Sequence, residues 1–484
     1  MVTRHVTPSG PVLPTVVPIG YLTQDERRHV GTVAAESVPP ESHAGWRPEP
    51  GRPDPVTLLD EQNASREPDL VPVRHGRMSS SPLAFFRGAA RIMAEDLSRT
   101  PTSGIVVQLC GDAHLSNFGV FASPERRLLF DVNDFDETLP GPFEQDVKRL
   151  GSSLAIAATN NGFDRRSRAS VTSAGVRSYR EAMSGFAGMR TMDIWYAALP
   201  EEDIRKEARI LRRSAKEAQA FKRGAKALAK ARQRDSLHAL KKLAEVVGDS
   251  YRIVSRPPLV VPLRDLVAMD PTIEETAEEI VRRQFEAYQD SLADDRRALL
   301  QRFRIVDVAR KVVGVGSVGT RAFIVLLQGR DRDDPLFLQA KEATRSVLEQ
   351  HLPRSRYEQP GERVVRGQQL MQATSDIFLG WSDLSPTGHH YYFRQLRDMK
   401  GSAVVESMSP AVMTVYAEMC GWTLARAHAR SGDPVVVDAY LGSDDGFVDA
   451  VTDFSLGYAK QNRDDYEAFL DAIASGRLEA RRDL

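Results

Sequence analysis

The segment Cys110-Gly-Asp112-Ala-His114-Leu-Ser-Asn117, followed by Asp134-Phe-Asp136, sets a carboxylate, an amide five residues on, and a second carboxylate just after the apolar run Leu128-Leu129-Phe130. Phosphoryl transfer uses that set. One aspartate orients or deprotonates the attacking hydroxyl, while an asparagine and a second aspartate hold magnesium against the nucleotide phosphates. Little covalent work falls to the protein, so placed charge supplies most of the catalysis. The spacing is that of a kinase-type catalytic loop, with Asp112 as base and Asn117 and Asp134 as cation ligands.

A second constellation lies far downstream. Gly314-x-Gly316-Ser317-x-Gly319 is ambiguous alone, because dinucleotide-binding folds and kinases both use such glycines. A dinucleotide site needs a helix next, so that the pyrophosphate meets its N-terminus. Here Arg321 to Leu327 is a β-type run, which predicts a glycine hairpin between two strands. On the next strand, alternation puts Leu336, Leu338 and Ala340 on one face and Phe337, Gln339 and Lys341 on the other. Lys341 then pairs with nucleotide phosphates, and Glu362 on the following helix is its expected ion-pair partner, with Glu358 and Glu349 in reserve. Singly, Lys341 and Glu362 read as ordinary surface charges; joined to the loop and Asp112, they read as a site. Gly314, Gly316, Ser317, Gly319, Lys341 and Glu362 are thus the nucleotide-binding candidates, with ATP and Mg2+ as expected cofactors.

The elements that must position these residues are legible in part. Residues 1–55 hold 10 of the 28 prolines and no apolar period, which predicts a disordered or extended arm. A short helix through Leu58, Leu59 and Ala64 and a longer one from Pro82 to Leu97, capped by Ser80 or Ser81, come next. Gly104 to Leu109 reads as a strand feeding Asp112. A helical stripe follows on Val147, Leu150, Leu154 and Ala157. Residues 205–242 carry 14 Lys or Arg against 3 Asp or Glu: a solvated helical face, or a landing surface for an anionic partner. Strand periodicity begins near Val308, with Val312–Thr320 running into Ala322–Leu327. A helix over 361–374 and strands at 376–381 and 390–396 complete a small antiparallel sheet. From Pro410 the chain is helical again, with Val412, Val415, Met419, Trp422 and Leu424 in one stripe.

At 484 residues the chain exceeds one ordinary core, and 42% hydrophobic with 27% charged residues is a soluble globular composition. A net charge of −1 offers no general attraction to nucleic acid or anionic membranes. No apolar run reaches the ~18–20 residues that span a bilayer. Cys110 and Cys420 cannot make a disulfide framework or a four-thiolate zinc site, so a reducing cytoplasm is expected. Pro8, Pro11, Pro14 and Pro18 interrupt any signal-peptide helix. Asp131 to Glu137 fails as a calcium loop, since Asp136 stands where glycine is required.

The loop Cys110–Asn117 resembles the His-Gly-Asp-x-His-x-x-Asn loop of aminoglycoside phosphotransferases and related small-molecule kinases, and Asn133-Asp-Phe-Asp-Glu137 resembles their metal motif. The resemblance implies Asp112 as catalytic base, His114 as a loop-orienting residue at the catalytic centre, Asn117, Asp134 and Asp136 as the metal set, and Asp146 as a structural carboxylate under the loop. Cys110 departs from the first histidine of that pattern. Beyond residue 56 the chain is similar to a bacterial family of unknown function, DUF2252, through Arg77-Met78, Ser81-Pro82, the Cys110–Asn117 loop and Gln395–Lys400. Kinases place the glycine loop before the catalytic loop; here the order is reversed. Chain order does not define a site, and neighbouring termini tolerate permutation. The expected architecture is therefore α+β: a kinase-like two-lobed fold, circularly permuted. Residues 56–305 form a catalytic helical lobe, 306–402 a nucleotide-binding β lobe, and 403–484 helices returning to the first. Adenine is expected against backbone near Phe393–Arg397, with Arg394, Arg397 and Lys400 serving phosphates or substrate. The expected activity is phosphoryl transfer from ATP to a hydroxyl or amine of a small-molecule or protein acceptor. The alternatives are a non-catalytic nucleotide-binding scaffold, AMP transfer on the same fold, or a metallophosphoesterase starting from Asp112-x-His114.

Overall fold

A computed structural model describes residues 22–204, 229, 231–232, 236–248, 250–269, 274–312, 314–382, 388–396 and 398–482. The fold is mixed α+β with several antiparallel sheets. Most of the basic stretch 205–242 lies outside the described residues.

The expected N-terminal arm is corrected over part of its length. Gln24–Ser37 is a helix, opened by a capping box in which Glu26 N donates to Thr23 Oγ1 (3.3 Å) and Thr23 N to Glu26 Oε2 (2.6 Å). The prolines of the arm flank this run and leave it free of proline. Gly31 lets the helix lie on Pro434–Leu441, because a Cβ there would stand 2.3 Å from the Val436 carbonyl.

The principal core joins helices from both ends of the chain. Glu144–Asn160 and Arg165–Ala187 pack with Pro410–Ser431 and Gly446–Ala474 around Leu154, Val176, Leu424, Val451 and Phe454. Two glycines, Gly175 and Gly421, set the closest crossing: a Cβ on Gly421 would lie 2.1 Å from the Gly175 carbonyl. The helix expected over 82–97 is two, Pro82–Gly88 and Ala90–Leu97, broken at Ala89. The carbonyls beside the break are taken by buried arginines, Gly88 by Arg74 Nη2 (2.6 Å) and Phe86 by Arg149 Nη2 (2.8 Å). Ser81 caps the first helix by accepting from Ala84 N at 3.1 Å.

Three short sheets frame the loops. β1 (Val106–Leu109) pairs antiparallel with β4 (Leu139–Pro142). β2 (Phe118–Ala122) and β3 (Leu128–Val132) form a hairpin flanked by β5 (Leu199–Pro200) and β14 (Gly401–Ser402). β6 (Ala244–Val247) and β7 (Ser250–Ile253) form another. The larger sheet has six antiparallel strands: β8 (Val260–Pro262), β9 (Arg304–Lys311), β10 (Ala322–Gln328), β11 (Pro335–Ala343), β12 (Gly380–Ser382) and β13 (His390–Gln395). Their spatial order is β12-β13-β11-β10-β9-β8. Alternation on β11 matches the sequence reading: Leu336, Leu338 and Ala340 join one apolar cluster and Phe337 the opposite one, so both faces are covered.

The glycine segment 314–320 is the expected turn between two antiparallel strands, β9 and β10, with Gly314 and Gly319 at φ +62° and +90°. The strand expected at 376–381 is shortened to β12 because the Asp376 carboxylate accepts the N–H groups of Phe378 (2.9 Å) and Gln395 (2.6 Å), closing a turn.

Candidate active site

β1 delivers the loop 110–117, and Asp146, in the first turn of the Glu144–Asn160 helix, holds it from beneath. Asp146 accepts Cys110 N at 2.7 Å and Gly111 N at 3.1 Å. His428 Nε2 lies 3.3 Å from the same carboxylate, and its Nδ1 lies 2.9 Å from the Tyr179 hydroxyl. Gly111 has φ +82°, and a Cβ there would stand 2.2 Å from the Glu137 carbonyl, so only glycine fits. Cys110 is buried; burial, then the Asp146 and Asp112 charges, push its thiol well up, leaving a neutral packing group.

Asp112 faces a buried guanidinium. Arg149 Nε and Nη2 lie 2.8 and 2.7 Å from Asp112 Oδ1, and the Arg149 plane stacks 3.7 Å over the Phe86 ring. Burial nevertheless raises the Asp112 carboxyl, with Arg149 opposing and Asp134 adding to the rise. His114 Nε2 lies 3.7 Å from Asp112 Oδ2. Burial, then Arg87 and Arg149, hold that imidazole neutral, and its Nδ1 has no hydrogen-bond partner. Asn117 donates Nδ2 to the Asp112 carbonyl at 2.7 Å, which commits the amide nitrogen to the loop and leaves the oxygen as the atom able to meet a cation.

The acidic segment after β3 meets the larger sheet. Lys341 on β11 and Tyr392 on β13 are directly opposite in register. The Lys341 ammonium is ion-paired to Asp136 Oδ2 and lies 3.6 Å from Asp134 Oδ1, while Tyr392 donates to Asp136 Oδ1 at 2.8 Å. Lys341 is 2% exposed. Burial works against its charge, yet Asp134 and Asp136 outweigh it and raise the ammonium. Asp136 is lowered: burial would raise it, and the Lys341 charge prevails. Asp134, further from that ammonium, is raised by burial and by Asp136.

One cavity of about 610 Å3 gathers these groups, within the ordinary range for ligand sites. Asp112, His114, Asn117, Asp134 and Asp136 line it, together with Gly314, Gly316 and Ser317. The glycine turn is anchored over it by Arg77 Nη1 to Gly314 O (2.6 Å) and by Glu67 N to Gly319 O (2.8 Å). Gly316 sits against the Arg87 carbonyl, 2.8 Å from where a Cβ would be. Lys341 stands behind the two carboxylates.

Other expectations meet a different arrangement. Glu362 is not brought to Lys341: it lies in the first turn of the Pro360–Met371 helix, capped through Gln359 and paired with Arg366 at 3.3 Å. One residue round that helix, Arg363 is the group that reaches inward, donating to the carbonyls of Asp136, Thr138 and Thr344. Of the reserves, Glu349 lines the cavity. The backbone expected to meet adenine is already committed, Gln395 N to Asp376 and Leu396 N to Phe337 O (2.9 Å), and neither residue lines the cavity. Arg394 donates to the Asn133 carbonyl at 3.1 Å, burial lowers Lys400 to about 7, and Arg397 lies outside the described residues.

The sequence reading passed over Arg87, Arg149, Arg363 and Tyr392. Lone arginines on helices carry no spacing signal; only packing selects them. Arg87 lines the cavity within electrostatic range of Asp112 and Asp134, its Nε is buried without a hydrogen-bond partner, and it forms no ion pair with a described residue.

The donor set suits magnesium. Asp134 Oδ1 is a buried oxygen without a hydrogen-bond donor, 3.6 Å from the Lys341 ammonium, and Asn117 on the cavity wall supplies a second oxygen. Asp136 fits less well, because Lys341 and Tyr392 already occupy it. Among the described residues no group of three or more His, Cys, Asp or Glu is placed to hold a metal. Magnesium does not require one, since it keeps waters and takes phosphate oxygens beside one or two carboxylates.

Among the described residues no helix is long and apolar enough to cross a membrane. No curated protein and no solved structure matches the chain. A family model does match over residues 66–472, most of the chain, and so this protein belongs to DUF2252, a family described as an uncharacterized protein conserved in bacteria.

Proposed function

We propose that the cavity is the active site of an ATP- and magnesium-dependent phosphotransferase, built on a circularly permuted, kinase-like two-lobed frame, that passes a phosphoryl group to a hydroxyl or amine of a small molecule. The observation that carries this reading is the convergence of Asp112, Asn117 and Asp134 with the Gly314–Ser317 turn on one cavity, backed by the Lys341 contact with both acidic-motif carboxylates. The glycine hairpin, the lysine on the third strand of the run, a helix, then two further strands is the succession a kinase nucleotide lobe needs.

In this reading Asp112 takes the proton from the acceptor as its oxygen or nitrogen bonds to the γ-phosphorus, and the bond to the ADP oxygen breaks. Arg149 keeps the Asp112 carboxylate aimed, and Arg87 faces the charge on the transferred group. The glycine turn offers backbone N–H groups to the phosphates. Asn117 and Asp134 would hold magnesium, whose charge offsets that of the phosphate oxygens. Lys341, buried behind the two carboxylates and absent from the cavity wall, would act by holding Asp134 and Asp136 in place rather than by meeting phosphate itself.

The test uses the full chain. Mg-ATP should raise the melting temperature and NAD should not; ligand at 100 times its Kd is worth about 2.7 kcal/mol. ADP release should then depend on a hydroxyl or amine acceptor, screened with radiolabelled γ-phosphate. Absence of any Mg-ATP shift rejects the reading.

A further inference from the structure

A second cavity, of about 210 Å3, lies along the face of the Pro360–Met371 helix that carries Arg363, Arg366, Gly367 and Leu370. Arg354, Arg356, Arg363 and Arg366 all line it, and no Asp or Glu does. Guanidiniums stay charged at any physiological pH, so four lining one small space, three of them solvent-exposed, make it locally positive and favour an anion there. Direct carboxylate contacts with them are few, although the Glu137, Glu349 and Asp136 charges act on Arg363 from the acidic side. Arg363 is 2% exposed and donates Nη1 and Nη2 only to main-chain carbonyls, while its Nε is buried with no partner. Arg356 donates to the Tyr357 hydroxyl (2.6 Å) and stacks on that ring at 4.7 Å. Arg354 makes no ion pair with a described residue. Arg366 alone has a carboxylate, Glu362 at 3.3 Å, and it also stacks over Trp381 at 4.9 Å.

We infer that this cavity is a binding site for a small oxyanion-bearing molecule, one phosphate or carboxylate head on a short carbon body. Guanidinium forks match such heads in bidentate fashion, and Tyr357 and Leu370 supply an apolar wall for the body. The space is about a third of that in the larger cavity and suits a compact metabolite. The two are adjacent: Arg354 lines both, and Arg363 holds the Asp136 carbonyl in the acidic segment.

Inorganic phosphate, pyrophosphate and succinate are titrated calorimetrically into the full chain and into Arg356→Ser and Arg366→Gln, with circular dichroism melts as the folding control. Loss of one charged fork should weaken the preferred anion about 10- to 100-fold, and phosphate against succinate tells which head is preferred. No heat with any of the three, or unchanged affinity in both variants, overturns the assignment. Crystals soaked in selenate read the site without a substitution: an anomalous peak among the four guanidiniums is expected, and one confined to the larger cavity overturns it.

Discussion

Asp112 illustrates why the choice of substitution decides what an experiment reads. Alanine would strand the buried Arg149 guanidinium, and an uncompensated buried charge destabilises on its own account. Asp112→Asn keeps an oxygen for Arg149 and removes only the basicity. Turnover should fall about 10²–10⁴-fold with the melting curve little changed; an unchanged rate removes Asp112 from its role. The base must be unprotonated to act, and burial raises its carboxyl, so rate should climb with pH through a midpoint above the ordinary ~3.9 of aspartate. A pH–rate profile with its acid limb at or below that value contradicts the assignment. Arg87→Gln should lower kcat more than it raises KM, because charge facing the transferred group matters most in the transition state. Steady-state kinetics separates the two parameters.

Elements enter through what they hold still. The Glu144–Asn160 helix contributes Asp146, and Asp146→Ala would leave the N–H groups of Cys110 and Gly111 without an acceptor. Each buried orphan costs about 1–3 kcal/mol, so urea unfolding should show a loss of roughly 2–6 kcal/mol, with Asp146→Asn less affected. A change below ~0.5 kcal/mol would mean the loop is held by other contacts. The glycine turn answers to sterics instead. At Gly316 a methyl would meet the Arg87 carbonyl, a backbone atom that cannot swing aside. The turn must shift, and Mg-ATP affinity in Gly316→Ala should weaken about 5- to 100-fold by calorimetry, equivalent to ~1–3 kcal/mol of overpacking.

Across the whole molecule, Lys341 ties the six-stranded sheet to the acidic segment of the helical part. Lys341→Met removes the tie and leaves two carboxylates facing each other. Breaking such a pair costs about 3–5 kcal/mol when buried, and the low end applies here because Asp134 and Asp136 keep 32% and 29% side-chain exposure toward the cavity. Denaturant titration measures the loss. Much of this design is written locally. The Asp112 and Asp134 loops, the alternation on β11, and the hairpin glycines are patterns of near neighbours, and near neighbours set backbone conformation whatever the rest of the chain does. The Gln24–Ser37 helix was hidden because flanking prolines dominate the composition of the arm, although its capping box was present in the sequence. Partner choice was not written there at all. Glu362 and Arg363 are adjacent on one helix, and only the packing of that helix turns the arginine inward and the glutamate out. Residue types and local periods thus determined which chemistry the chain carries. Tertiary packing decided which distant stretches share one cavity, since an ion pair depends on distance through space and sequence separation leaves that distance open.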